Sequence, residues 1–403
     1  MKFWSKLATW KKLILILVLL IVLAAAAFVA LVVGFWLRAF FGQVWGICIP
    51  QGTRTILFTT IASTRAIRPG PDGRLEEVTV KLPVQADLGP PILPRGCIRD
   101  SGWVPLFDWV NEPPPTRATV KPSCHQWTNL QCLDLQTLVA RSVIRTEGYI
   151  FPLGPSNCLN GRFMAYVPHC RPSDPSSSGL PAVFSVADAT FSTINDPIRE
   201  TRGLILLGQQ DYVGIGFDPK PGRSGEAYSD KPGYLSRRGE RVADNVYDVL
   251  GVTPDLEQVF FEKHEAGATG ATVSALWVYR PNDGTSQRLV EWNGDCLRVT
   301  SDSQRFGFLE FLPTDQRHRR TIVGVNILNL NGDSLQHFRF KDPIKPCGWP
   351  WKAYDWSPDW GIIAYSDETD LVVQSLDGKI LGRFILLRVS DVVQFYRSAR
   401  KHN

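Results

Sequence analysis

Eight cysteines, six histidines and 39 acidic residues are the groups of this 403-residue chain from which chemistry could be built. The cysteines are Cys48, Cys97, Cys124, Cys132, Cys158, Cys170, Cys296 and Cys347. Zinc sites are specific when ligands recur as C-x₂₋₄-C or H-x₃₋₅-H. Here thiol and imidazole meet only as Cys124-His125 and His169-Cys170. Neighbours on a strand point to opposite faces, so each pair would offer one ligand. No metal site and no cofactor is expected. An even number of cysteines instead suits disulfide pairing in an oxidising compartment. All eight are therefore candidate disulfide cysteines. Cys124 with Cys132, and Cys158 with Cys170, are close enough in sequence to bridge locally, while the connectivity as a whole stays open.

Other catalytic signals are missing. The sequence has no G-x-S-x-G elbow, no H-E-x-x-H, no P-loop and no G-x-G-x-x-G opening a helix. A carboxylate pair suited to glycoside hydrolysis stays open, because its hallmark is a spatial separation that sequence does not give. The balance of these signals is against an enzyme.

The elements that would position such groups begin with a helix. Leu13 to Leu37 reads LILILVLLIVLAAAAFVALVVGFWL, without a charge. At ~1.5 Å per residue it can cross a hydrocarbon core of ~30 Å with some tilt. Lys2, Lys6, Lys11 and Lys12 precede it, Arg38 follows it, and Trp36, Phe40 and Phe41 supply interfacial aromatics. These features predict an N-terminal transmembrane helix over residues 13–37, a cytoplasmic tail over 1–12 and an extracytoplasmic bulk over 48–403. The lipid bilayer is thus a predicted partner through residues 13–37. A cleaved signal peptide is the competing reading, since AAAAFVA has cleavage-like spacing, but the apolar run continues past any such site. The absence of an N-x-S/T sequon favours a bacterial periplasm or cell surface. The first 38 residues account for the whole net charge of +5, so the exported part is formally neutral and gives no case for nucleic acid.

Beyond the helix, turn signals recur. KAYDWSPDWGIIAYSDETDLVVQSLDGKILGRFILL, from Lys352, reads as four strands with turns at S-P-D and D-G. Related turns fall at Thr253-Pro254-Asp255 and Thr300-Ser301-Asp302, with weaker ones at Asn160-Gly161 and Asp211. The positions Asn160, Asp211, Asp255, Asp302 and Asp359 are 51, 44, 47 and 57 residues apart, the size of a four-stranded propeller blade. Even spacing asks for further copies near Gly52 and Ser101. An aromatic ends each following strand: Tyr166, Phe217, Phe261, Phe308 and Tyr365. Alternation then places Ala165, Gly216, Phe260, Gly307 and Ala364 on the other face. The Asp and Pro residues are read as turn builders rather than ligands.

The stretch WSPDWGIIAY resembles the repeat of TolB-like β-propellers, relatives of the WD-repeat propellers. Trp356, Ser357, Pro358, Asp359, Ile363, Ala364 and Tyr365 match in place, and Trp360 stands where glycine is expected. The resemblance is good over Val252–Leu387 and weaker over Leu159–Phe217. It implies an all-β ectodomain, a β-propeller of five to seven blades, with a separate N-terminal β part over 48–150 as the alternative. The functional expectation is a membrane-anchored binding or scaffold module for a protein or envelope component. Its rivals are an extracytoplasmic propeller hydrolase acting on glycans or peptides, and a structural subunit of a membrane complex. Pro- and Gly-rich stretches from Glu112, Arg171 and Asp218 read as surface excursions, as does the basic cluster Arg317-His318-Arg319-Arg320.

Overall fold

The computed structural model describes residues 14, 16–29 and 32, and then 44–60, 63–83, 102–110, 127–147, 151–152, 158–159, 162–167, 180–193, 202–208, 211–216, 232–267, 271–312, 321–346, 353–367 and 370–386. Residues 16–29 are helical and carry apolar side chains exposed on every side, from Ile16 to Val29. No helix among the described residues is long and apolar enough to cross a membrane.

The sheets described after it are all antiparallel. β1 (Val44–Cys48), β2 (Ile56–Thr60), β3 (Ser63–Pro69) and β4 (Leu75–Thr79) form a meander of four. β5 (Trp103–Val110), β6 (Trp127–Asp134) and β7 (Ala140–Glu147) form a sheet of three. The third sheet holds β8 (Phe151–Pro152), β9 (Cys158–Leu159), β10 (Arg162–Val167), β11 (Leu180–Ser185) and β12 (Thr190–Thr193). A seven-stranded sheet follows with β13 (Arg202–Leu206), β14 (Tyr212–Gly216), β15 (Gly233–Arg237), β16 (Glu240–Val252), β17 (Val259–Ala266), β18 (Thr272–Arg280) and β19 (Thr285–Glu291). Two further meanders of four close the chain. They are β20 (Gly294–Val299), β21 (Arg305–Phe311), β22 (Ile322–Asn329) and β23 (Ser334–Ile344), then β24 (Tyr354–Ser357), β25 (Ile362–Asp367), β26 (Asp370–Ser375) and β27 (Ile380–Ile385).

Strands of four to eight residues rich in β-branched and aromatic side chains explain the sheets. Alternation explains how they stack, because each sheet has two apolar faces and must cover both. The faces meet in sequence order. Phe260, Leu276 and Val278 pack on Phe306, Phe308 and Leu328 of the next sheet. Leu309, Val325 and Ile327 of that sheet pack on Trp356 and Ile363. Ile362, Ala364, Leu371 and Val373 of the last sheet then pack on Val44, Ile56, Phe58 and Ile67 of the first. The first sheet turns its other face, with Leu57 and Ala66, to Val104, Leu106 and Leu130 of the second. The first strands lie side by side, β16 by β20, β20 by β24 and β24 by β1. These four units therefore stand face to face with their first strands adjacent, as successive blades of a β-propeller do.

Two features depart from simple repetition. β16 is 13 residues long and pairs with β15 through Glu240–Val246 and with β17 through Val246–Val252. It is at once the last strand of one four-stranded unit and the first strand of the next. Bulges in both pairings and a left-handed Asn245 (φ 59°) let it bend between them. At the other junction no strand is shared: β1–β4 and β24–β27 are each complete, and they meet face to face.

Candidate functional site

The turns expected at Asp255, Asp302 and Asp359 each join the first strand of a unit to its second, and so does the one at Asp211 between β13 and β14. Asn160 lies outside the described residues, although β9 and β10 pair across it through Leu159 and Arg162. Gly52 (φ 70°) occupies the matching turn between β1 and β2. Ser101 lies outside the described residues.

The chemistry of these turns is local. The Thr253 hydroxyl accepts from the Gln258 amide at 3.0 Å, and Asp255 Oδ1 accepts from the Glu257 amide at 3.0 Å. Thr300 and Asp302 repeat this with Arg305 and Gln304, both at 3.0 Å. The Thr300 hydroxyl and the Gln304 amide hold the Asp302 carboxyl below the usual carboxylate range. The last copy differs. Gly361 takes the left-handed conformation (φ 69°) and its amide donates to the Ser357 carbonyl. The closing hydrogen bond spans one residue more than in the earlier copies although the turn has the same length, and Trp360, in the place of the expected glycine, packs on the core shared by the first and last sheets. Turns of different units are also tied to each other, two pairs of them between neighbours and one across the last unit. The Asp255 amide donates to Ser303 Oγ at 3.2 Å, the Ser301 amide to Asp359 Oδ1 at 3.0 Å, and Gln51 Nε2 to the Val299 carbonyl at 2.7 Å.

The two faces read from alternation are found in the last three copies. Phe261, Phe308 and Tyr365 face the preceding unit, which for Phe261 is the first half of its own sheet, and Phe260, Gly307 and Ala364 face the following one. Trp356 lies over Gly307, where an added Cβ would come within 2.8 Å of its ring. Gly216 differs: its open side is filled by Tyr234 of the adjacent strand of its own sheet. Phe217 and the side chains of Ala165 and Tyr166 lie outside the described residues.

A buried polar cluster lies among strands β20, β24 and β1. Asp355 is 2% exposed, and its Oδ2 accepts from the Ile49 amide at 2.7 Å. Its Oδ1 accepts from Arg298 and from the Trp356 amide. Burial works against the Arg298 charge, but Asp355, with Cys296 and Asp295 beside it, holds that guanidinium protonated above its ordinary range. Tyr354 donates to Asp295 at 3.2 Å, and the Trp356 indole donates to the Cys296 carbonyl at 2.7 Å. A second lock lies beside it: Arg65 is buried on β3, stands over the Phe58 ring, pairs with Glu77 and donates to the carbonyls of Ile385 and Leu386. Both clusters bind sheet to sheet. With the Cys296 thiol as a fourth donor at 3.6 Å, the acceptor sites of this carboxylate are taken up by the scaffold, so the arrangement positions structure rather than a reaction.

Other ionisable groups are engaged in the same way. Asp211 accepts from Arg237 at 2.7 Å and from Arg238 at 3.1 Å, and Arg237 reaches on to Tyr279 and the Pro281 carbonyl. Partial burial raises the Asp211 pKa, yet these two guanidiniums outweigh it and leave the carboxyl below its ordinary range. Asp211 is thus a cross-strand anchor as well as a turn residue. Glu310 bridges His337 and Asn326. Glu265 bridges Trp277 and Arg288, and Glu262 holds Ser274. No group of three or more His, Cys, Asp or Glu among the described residues is placed to hold a metal ion.

The cysteine expectation needs correction at two positions. Cys132 and Cys296 form no disulfide. Cys132 is buried in β6 among the apolar contacts of its sheet, and burial pushes its thiol up to about 12, so it behaves as a small apolar side chain. Cys296 sits in a left-handed bulge of β20 (φ 57°) with Sγ 3.6 Å from Asp355. The local Cys124–Cys132 bridge that the spacing would allow is therefore not formed. Cys48 is disulfide-bonded. Cys97, Cys124, Cys170 and Cys347, and the side chain of Cys158, lie outside the described residues.

Sequence reasoning missed Asp355, Arg298, Arg65 and Arg237. The one available signal was Asp355 itself, an acid inside a strand beside the W-S-P-D match.

No family model matches the chain, and no curated protein matches it. Solved structures do. An oligogalacturonate lyase solved in complex with manganese is 12% identical, with a TM-score of 0.50 over 87% of this chain and 90% of that one. The oligogalacturonate lyase of Vibrio parahaemolyticus is 10% identical, with a TM-score of 0.47 over 81% and 86%. TolB from Acinetobacter baumannii is 11% identical, with a TM-score of 0.39 over 73% and 63%. The likeness is one of fold.

Proposed function

We propose that the chain is a seven-bladed, TolB-like propeller held by an N-terminal membrane anchor, working outside the cytoplasm as a binding or scaffold module for a protein or envelope component. The blade count follows from dividing the seven-stranded sheet at β16, which turns six sheets into seven units. The observation that carries the membrane reading is the helix over residues 16–29. The consecutive residues Ile16–Leu23 cover its whole circumference and are all exposed, while the sheets satisfy their own apolar faces elsewhere. An apolar helix with no polar side is stable in lipid and not in water.

Support for binding over catalysis comes from how the described carboxylates and histidines are used. Asp355, Asp211, Glu310, Glu265 and His337 each hold a neighbouring group of the scaffold. The test has two parts. A reporter fused after Asn403 is expected to be active only when it reads the extracytoplasmic side; activity of a cytoplasm-only reporter would overturn the topology. The full chain in mild detergent is expected to co-purify with a stoichiometric partner and to leave glycans and peptides intact. Turnover of oligogalacturonate or of peptides would replace the scaffold reading with the enzymatic one.

A further inference from the structure

The strands fix which end of the ring is which. β1, β16, β20 and β24 all run toward the turns at Gly52, Asp255, Asp302 and Asp359. Hydrogen bonds from Asp255 to Ser303, from Ser301 to Asp359 and from Gln51 to Val299 bring those turns together at one end. Antiparallel pairing then puts Val44, where β1 starts, at the opposite end, together with the ends of β21 at Phe311 and β27 at Ile385. Large apolar side chains stand exposed at that end, Trp45 at 38%, Leu312 at 42% and Ile385 at 63% among them, but Leu335, Ile380 and Leu381 are exposed at the turn end as well, so the tether has to decide between the two.

Chain length supplies the partner. Residues 38–43 alone separate the apolar segment from Val44. Seven Cα-to-Cα steps reach at most about 25 Å. β1 is an innermost strand, so this tether meets the ring at its centre. To bring the other end of the ring to the bilayer, the tether would have to pass round the rim. Four strands at ~4.8 Å spacing, and strands ~17 Å tall, make that path longer than the tether allows.

We infer that the end of the ring where β1 begins rests on the lipid surface, with Trp45, Leu312 and Ile385 among the headgroups, and that the end carrying the four turns faces away. Tryptophan and aliphatic side chains suit the boundary between headgroup and acyl chain. This inference rests on reading residues 13–37 as the anchor. It adds a second contact with lipid and assigns the outward end to any protein partner.

The experiment uses the full chain reconstituted in phosphatidylethanolamine–phosphatidylglycerol vesicles. Photo-crosslinking benzoylphenylalanine replaces Leu312, Ile385 or Leu335 in separate preparations. Leu335 is 51% exposed and lies near the start of β23, at the end of the ring that carries the turns. All three sites are exposed and tolerate substitution. Lipid adducts several-fold more abundant at positions 312 and 385 than at 335 are expected. Adducts as abundant at 335, or none at any site in a chain that floats with the vesicles, would overturn the inference while leaving the anchor in place. A chain that washes off the vesicles at alkaline pH would remove the anchor reading and this inference together.

Discussion

Two junctions of the same ring are built in opposite ways. Between the fourth and fifth units a single 13-residue strand, β16, belongs to both, so the two are joined by main-chain hydrogen bonds and by the chain itself. Between the first and last units no strand is exchanged. That junction relies on one apolar interface, on Trp360, and on the buried contacts of Asp355 and Arg65. A shared strand is insensitive to any one side chain. A face-to-face junction concentrates its stability in a few groups, and the comparison can be tested by removing them.

The largest effect is expected from Asp355→Ala. It strands the Arg298 charge and the Ile49 amide in the interior, and breaking a buried pair this way costs about 3–5 kcal/mol. Denaturant unfolding should register the loss, and hydrogen exchange should locate it in β1 and β24 before β16. Uniform loosening of all units would show that the two junctions are equally strong. A smaller effect is expected from Ala364→Trp, which overpacks the last sheet against the first and should cost about 1–3 kcal/mol. An unchanged melting temperature would mean that the interface has room that the packing of Ala364 does not suggest.

The smallest effect belongs to the β13–β19 sheet and is read through pH. The Asp211 pKa is depressed in the folded state, so its contribution to stability is full above the ordinary carboxylate value of about 4 and is lost as pH falls through the lower, folded value. Asp211→Asn should therefore lower stability at neutral pH and flatten its decline below about pH 4. A decline as steep as that of the parent would assign the acid sensitivity to other carboxylates.

The sequence shows part of this plainly. Thr253-Pro254-Asp255 and Thr300-Ser301-Asp302 are legible because each turn is made by groups within five residues of one another. The opposite faces of Phe260 and Phe261 are legible because strand alternation needs no partner to be known. Trp360 reads as a defect of the motif, since its use lies on a sheet some 300 residues away in sequence, whose positions carry no signature. Asp355 and Arg298 stay hidden for the same reason. The double role of β16 is hidden because Glu240–Val252 mixes charged, polar and apolar residues without a clean alternation. Cys132 and Cys296 show how far an even cysteine count can be taken: it does not assign any one sulfur.

The bond from Ile49 to Asp355 spans 306 residues. Contacts of such sequence separation form late, since most of the chain must be ordered before they are rewarded. A chain made from its N-terminus completes β1–β4 early and then holds Val44, Ile56, Phe58 and Ile67 uncovered until Tyr354–Ile385 has been synthesised. The first sheet is thus the segment most in need of protection while the chain is being made, and ring closure is its last folding event.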